Sequence, residues 1–286
     1  MLEFRGIHIL LKRLLKGRGG IALTVGGVIL SFFMVLFIFA PLIAPYNPIM
    51  PVGYSFSPPS REFIMGTDNL GRDVFSRVVW GTRIALTIAF TATLFAALIG
   101  VPLGFISGYR GGIFDRVMSL IMDSIYSFPG LILAIAIAAV LGPGVVNISL
   151  SIATIYIPTY FRVVRNQVSS VKSELYVEAA RALGADDWTI LTKYIFRSVL
   201  PSILVILSMN LADAVLTEAG LSFLGLGAPP PTPDWGFDLS NGQRFILQNR
   251  WWMVFYPGLM IVLLTLGFSL FGEGLDERFN PRLKER

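Results

Sequence analysis

The sequence contains no cysteine and a single histidine, His8. The first absence excludes disulfides, thiolate metal sites and cysteine nucleophiles together. The second leaves no histidine-based metal centre and no His-dependent triad. Charge is also scarce: only 14% of residues are Asp, Glu, Lys or Arg, against about a quarter in a typical soluble chain. A Gly-x4-Gly-Lys-Ser/Thr phosphate loop is missing, so the chain lacks that machinery for binding and splitting ATP. Ser222 lies in Gly-Leu-Ser-Phe-Leu, which lacks the second glycine of a nucleophile elbow and has no preceding strand. These absences argue against an enzyme and against any cofactor or metal of the chain's own.

What is abundant is apolar. Hydrophobic residues make up 54% of the chain and mean hydropathy is +0.69, which excludes an ordinary soluble globular protein. A net charge of +5 would suit nucleic acid. Lys and Arg cluster instead at the ends of hydrophobic runs, as membrane topology requires, so the expected surroundings are lipid and not nucleic acid.

Residues 1–20 form a basic arm carrying Arg5, Lys12, Arg13, Lys16 and Arg18. Residues 21–43 follow as an uncharged run long enough for a spanning helix of about 20 residues. The run is too long for a signal-peptide core and no small-residue cleavage site follows, so it reads as a retained first span. A polar, proline-broken loop covers 44–83. The second span is expected over 84–107, where Gly100, Gly104 and Gly108 recur at every fourth position, a stripe that lets two helix backbones approach closely. The third is expected over 117–141, bent at Pro129. Around its start Asp115, Ser119, Asp123, Tyr126 and Ser127 lie mostly on one helix face. An ionised Asp facing lipid costs several kcal/mol, so that face must meet protein or water. A pore lining, a subunit contact and a hydrogen bond to a neighbouring helix all satisfy this.

Further spans are expected over 145–161, 199–226 and 252–271. In the fifth, Asn210, Asp213 and Thr217 share a face while Glu218 is turned away; its end, rich in Gly and Pro, is expected to unwind from Glu218 onward. Trp251, Trp252 and Tyr256 form an aromatic belt at the sixth. The expected architecture is an all-α polytopic membrane protein with six transmembrane helices: a first helix, a five-helix core over 84–275 and a tail over 276–286. Placing both termini in the cytoplasm puts 17 of the 23 Lys and Arg residues on that side, the asymmetry expected of cytoplasmic loops.

The polar loop over 166–197 also falls inside. Within it residues 175–183 read as a short helix, Gly184 as a left-handed stop, and Asp186 or Asp187 as the cap of a second helix starting near Trp188. Glu178-Ala179-Ala180, three residues, then Gly184 resembles the EAA loop of the membrane subunits of ABC importers. The family's Ile-x-Leu-Pro tail would begin at Tyr194 and is degenerate here. Two further stretches resemble the C-type permease of oligopeptide and dipeptide importers. One is Gly66-Thr-Asp-Asn-Leu-Gly-Arg-Asp-Val-Phe-Ser-Arg77, which reads as a turn and a capped interfacial helix whose Arg72, Arg77 and Arg83 stand at the mouth of the second span. The other, the most specific, is Glu218-Ala-Gly-Leu-Ser-Phe-Leu-Gly-Leu-Gly227 with Pro230-Pro-Thr-Pro-Asp-Trp-Gly236. The residues from Gly272 to Arg282 are similar to the family's ending too.

The resemblance implies the transmembrane fold of type I importers. It implies a pseudo-symmetric partner, a second permease of B type, and two ABC ATPase subunits that bind ATP and Mg. An extracytoplasmic substrate-binding protein would deliver di- or oligopeptides, or the oligosaccharides or nickel that relatives import. Coupling to the ATPases is expected at Glu178, Ala179, Ala180, Arg181, Gly184 and Asp187. The polar groups Asp115, Asp123, Asn210, Asp213 and Thr217 are candidates for the translocation path. Two other readings are an ion-gradient-driven transporter, which would give the intramembrane carboxylates a coupling role, and a membrane-embedded assembly subunit with no path.

Overall fold

The computed structural model describes residues 18–279, so most of the basic arm and the end of the tail lie outside the described residues. The architecture is helical: α1 (Arg18–Ile43), α2 (Val74–Arg110), α3 (Gly112–Tyr126), α4 (Gly130–Leu141), α5 (Val145–Val171), α6 (Leu175–Ala182), α7 (Asp187–Phe223), α8 (Trp235–Gln243) and α9 (Trp252–Phe279). α1, α2, α7 and α9 are each long and apolar enough to cross a membrane. Their apolar side chains are exposed along α1 (Ile38, Leu42) and α9 (Val262, Leu266), as a lipid-facing surface requires.

The second helix starts ten residues earlier than hydropathy suggests. The Asp73 side chain caps it, accepting from the Ser76 amide at 2.8 Å and the Ser76 hydroxyl at 2.6 Å. Its 37 residues give about 55 Å of helix, well beyond a hydrocarbon core of about 30 Å. The surplus carries Arg77 into the loops that precede α2 and α8. Arg77 is buried and pairs with Asp238 of α8 at 2.6 Å, while its Nη1 donates to the Pro48 carbonyl at 3.0 Å. Arg72 pairs with Asp68 at 2.6 Å, and Arg83 Nε donates to the Phe37 carbonyl at 2.8 Å. All three arginines at the start of this helix are committed inside the protein, so they brace the loop before α2, α8 and α1.

The glycine stripe works as expected. A Cβ on Gly100 would lie 2.7 Å from the Ile157 carbonyl, on Gly104 2.7 Å from that of Phe161, and on Gly108 2.6 Å from that of Arg165. Only glycine lets α2 lie this close to α5.

The bend expected at Pro129 is a sharp break in the third span: α3 and α4 meet at 86° across residues 127–129, because Pro129 admits no continuing helix. One expectation needs correction. The fifth span does not unwind at Glu218. The helix runs to Phe223 and breaks near Gly225, where φ is +85°. One interior glycine costs about 1 kcal/mol of helix, and the complete burial of Leu221 with the Ser222–Glu218 bond offsets it. α5 is long but less apolar than the others, carrying Asn147, Ser149, Ser151, Thr154 and Arg162, and is largely covered by α2 and α7. Among the described residues four helices qualify as spans individually, five with the bent pair counted as one.

Candidate functional site

Three places gather the residues singled out by sequence. The first is the loop formed by α6 and the start of α7. Val177 and Ala180, one turn apart, are buried, Val177 against Val164, Val168, Ile190 and Val199. The opposite face presents Leu175, Glu178, Ala179 and Ala182 to solvent. The Ala185 amide donates to the Ala180 carbonyl and the Gly184 amide to that of Arg181, both at 3.0 Å, with Gly184 at φ +87°. This is the left-handed helix stop that residue order suggested. Asp186 stands at the N-cap of α7, and Thr189 beside it holds its carboxyl below the usual carboxylate range. A π-helical turn over Ile190–Ile195 then turns Ile190 and Ile195 fully inward.

Of the residues expected here, Glu178, Ala179, Arg181, Gly184 and Asp187 are exposed, and Ala180 faces the body. Arg181 Nη2 and Asp187 Oδ1 both bond the Tyr109 hydroxyl at the end of α2. The loop is therefore fastened to the helix below it. Sequence reasoning passed over the apolar part of this surface. Leu183 is 89% exposed, Leu175 82% and Trp188 73%, costly in water unless something covers them.

The second place is a cavity of about 800 Å³ between the α3–α4 break, α5 and α7. Asn210, Asp213 and Thr217 line it together, as their shared face implied. The Tyr156 hydroxyl donates to Asp213 Oδ2 at 2.7 Å and lies 3.4 Å from Thr217 Oγ1. Tyr156 was not foreseen: it lies 57 residues from Asp213 in sequence, and no local pattern marks it. Asp115 and Asp123 stand apart from this group. Asp115 is held by Arg165 and the Ser107 hydroxyl, and Asp123 by Arg162 at 2.6 Å. Both carboxylates tie α3 to α5, the interhelical hydrogen-bond reading of that face.

The third place is the most specific motif. Ser222 Oγ lies 2.9 Å from Glu218 Oε1 and 2.8 Å from Asp234 Oδ2, all three side chains buried. A hydroxyl has one proton to give, so holding both contacts requires a proton on a carboxyl group. Burial pushes the Asp234 carboxyl up, against the bond from the Phe237 amide. The motif glycines make room: a Cβ on Gly227 would lie 1.9 Å from Ser222 Oγ, and on Gly236 2.3 Å from the Ala219 carbonyl. Trp235 then inserts and donates its indole N–H to the Val78 carbonyl at 2.9 Å. The motif is a clasp between the end of α7, the following loop and α2. Among the described residues no cluster of metal-ligating side chains occurs.

Residues 100–285 match the family described as the binding-protein-dependent transport system inner membrane component. The chain is 39% identical over 262 residues to a dipeptide transport system permease protein of Alkalihalophilus pseudofirmus, covering 91% of this chain and 86% of that one. It is 42% identical over 226 residues to a glutathione transport system permease protein of Pectobacterium atrosepticum, covering 79% and 75%. Among solved structures, an inward-facing MetNI methionine ABC transporter aligns with TM-score 0.56 at 19% identity, covering 71% of this chain and 96% of that one. This last likeness establishes the fold.

Proposed function

This chain belongs to the family of binding-protein-dependent transport system inner membrane components, and from that premise we propose that it carries di- or oligopeptides. As a member it is the membrane permease subunit of an ABC importer, with the type I fold. The observation that carries the peptide reading is the 39% identity, along nearly the whole chain, to a permease named for dipeptides.

In this reading α5 joins the four long helices and the bent α3–α4 pair as a sixth crossing, with both termini in the cytoplasm. The arm over 1–20, the first helix over 21–43, the outer loop over 44–83, the core over 84–275 and the tail over 276–286 are its parts. A second, B-type permease closes the path, and a substrate-binding protein delivers cargo to the outer loops. Two ATPase subunits bind ATP and Mg. They dock on the exposed face of the loop, where Glu178, Ala179, Arg181, Gly184 and Asp187 surround Leu183 and Trp188. Ala180 sets the depth of the helix from beneath. Closing of the ATPases pushes the loop, and the rigid α6–α7 unit passes that displacement to the helices around the cavity, a two-state change biased by nucleotide.

The test is reconstitution of this chain with its partner permease, ATPases and binding protein in liposomes. Uptake of a labelled dipeptide should require ATP and every subunit. Uptake driven by an ion gradient with no ATP would overturn the importer reading.

A further inference from the structure

We infer that Asp213 is the anionic half of a subsite in the α3–α4–α5–α7 cavity that receives the ammonium end of a passing cargo. The inference rests on the peptide-permease reading above, and deepens it by assigning the cargo's charge to one residue.

The cavity is not a lipid-facing groove. Phe128 in the helix break and Gly130 just after it are among its lining. Non-helical backbone at membrane depth is tolerated only where protein or water meets it. Asp213 is exposed there, in the middle of a helix that otherwise qualifies as a membrane span. An exposed carboxylate at that depth makes the same demand independently.

Within the lining, Asp213 is the one ionisable acid or base apart from tyrosine hydroxyls. Its sole hydrogen bond among the described residues comes from Tyr156, to Oδ2, and no Lys or Arg pairs with it. The nearby cation, Arg162, stacks over the Tyr126 ring and is spent on Asp123. The two acids of α3, Asp115 and Asp123, have their own arginines, and Asp213 does not. Tyr156 is itself buried, so it fixes Oδ2 and leaves Oδ1 for an incoming donor. One turn away, Asn210 Nδ2 is buried with no acceptor among the described residues. The cavity is therefore a partly aromatic space whose lining holds one carboxyl group, Asp213, with no basic side chain opposite it. The C-terminal end of α3 and the N-terminal end of α4 both border it, so their opposite partial charges offset and Asp213 decides the sign. The chemistry that fits is an ammonium group, which an unblocked peptide carries at its amino end.

The experiment uses the complete transporter in liposomes and compares alanyl-alanine with N-acetyl-alanyl-alanine. Turnover is measured at binding-protein saturation, so that selection by the binding protein is removed. Wild type is expected to move the free-amino peptide at least about tenfold faster, the lower end of what a charged hydrogen bond supplies. Asp213→Asn should lose that preference by slowing the free-amino peptide alone, and Asp213→Glu should restore part of it. Equal slowing of both peptides, loss of the partner permease on purification of Asp213→Asn, or an unchanged preference would each overturn the subsite. Transport of neither peptide by wild type would overturn the peptide reading and the subsite together.

Discussion

Arg77 and the Glu218–Ser222–Asp234 clasp show what single residues contribute. Truncating one partner of a buried ion pair leaves the other charge stranded, at a cost of about 3–5 kcal/mol. Arg77→Ala, which strands Asp238, should therefore lower the unfolding temperature of purified protein sharply, whereas Arg61→Ala in the loop before α2, exposed, should not. In the clasp, Ser222→Ala removes the hydroxyl between two buried carboxyl groups and should cost about 1–3 kcal/mol, read from the same unfolding measurement. The clasp also has a pH sign. Burial raises the Asp234 carboxyl when folded, so the folded state holds a proton that the unfolded state releases. That contribution is fully present below the ordinary carboxylate range and is lost as pH rises toward the raised value. Thermal stability measured across that window should fall with rising pH, and more steeply in wild type than in Asp234→Asn. None of these partnerships was legible in sequence. Glu218 could be placed away from Asn210, Asp213 and Thr217, but Asp234 lies in a loop whose return to α7 depends on tertiary packing. Arg77 read as a residue at the membrane surface because buried arginine is rare, and its acid lies 161 residues away.

At the scale of elements, local signals served well where a short-range steric rule decides. The glycine stripe foretold a close helix contact, whose partner proves to be α5, and Gly184 foretold the end of α6. Gly104→Val should push its Cβ against the Phe161 carbonyl, backbone that cannot step aside, at the cost of about 1–3 kcal/mol that overpacking imposes. Retention in detergent extracts measures it, and Gly27→Val, where nothing lies within 4 Å, is the control. Hydropathy served less well at the ends of elements. It set the start of α2 too late because the added turns are held by Asp73, Arg77 and Trp235 rather than by lipid. Over α3 and α4 it gave one span, and Pro129 marked the bend, but a window average does not register that the turn is 86°. It missed that α7 runs unbroken from the loop into the membrane, since polarity near Asp187 looked like a boundary and the hydrogen-bonded π turn bridges it.

For the whole molecule, scarcity of charge and long apolar runs were sufficient to read an all-helical membrane protein. The cavity is different in kind. It is assembled from α3, α4, α5 and α7, and only the α7 part of it, the Asn210–Asp213–Thr217 face, has a periodic signature. The loop surface was half legible: its Glu-Ala-Ala-x3-Gly spacing stood out, but the apolar tip at Leu183 and Trp188 emerged only from solvent exposure. That tip carries the central claim, that this chain takes its energy from separate ATPases through α6. The most direct measurement is co-purification of the assembled complex from membranes, comparing wild type with a Leu183→Asp, Trp188→Asp double variant. The expected result is loss of the ATPases from the variant with the partner permease retained, since removing the central apolar anchors of an interface costs about 2 kcal/mol or more. ATPases retained by the variant as fully as by wild type would contradict docking at this surface.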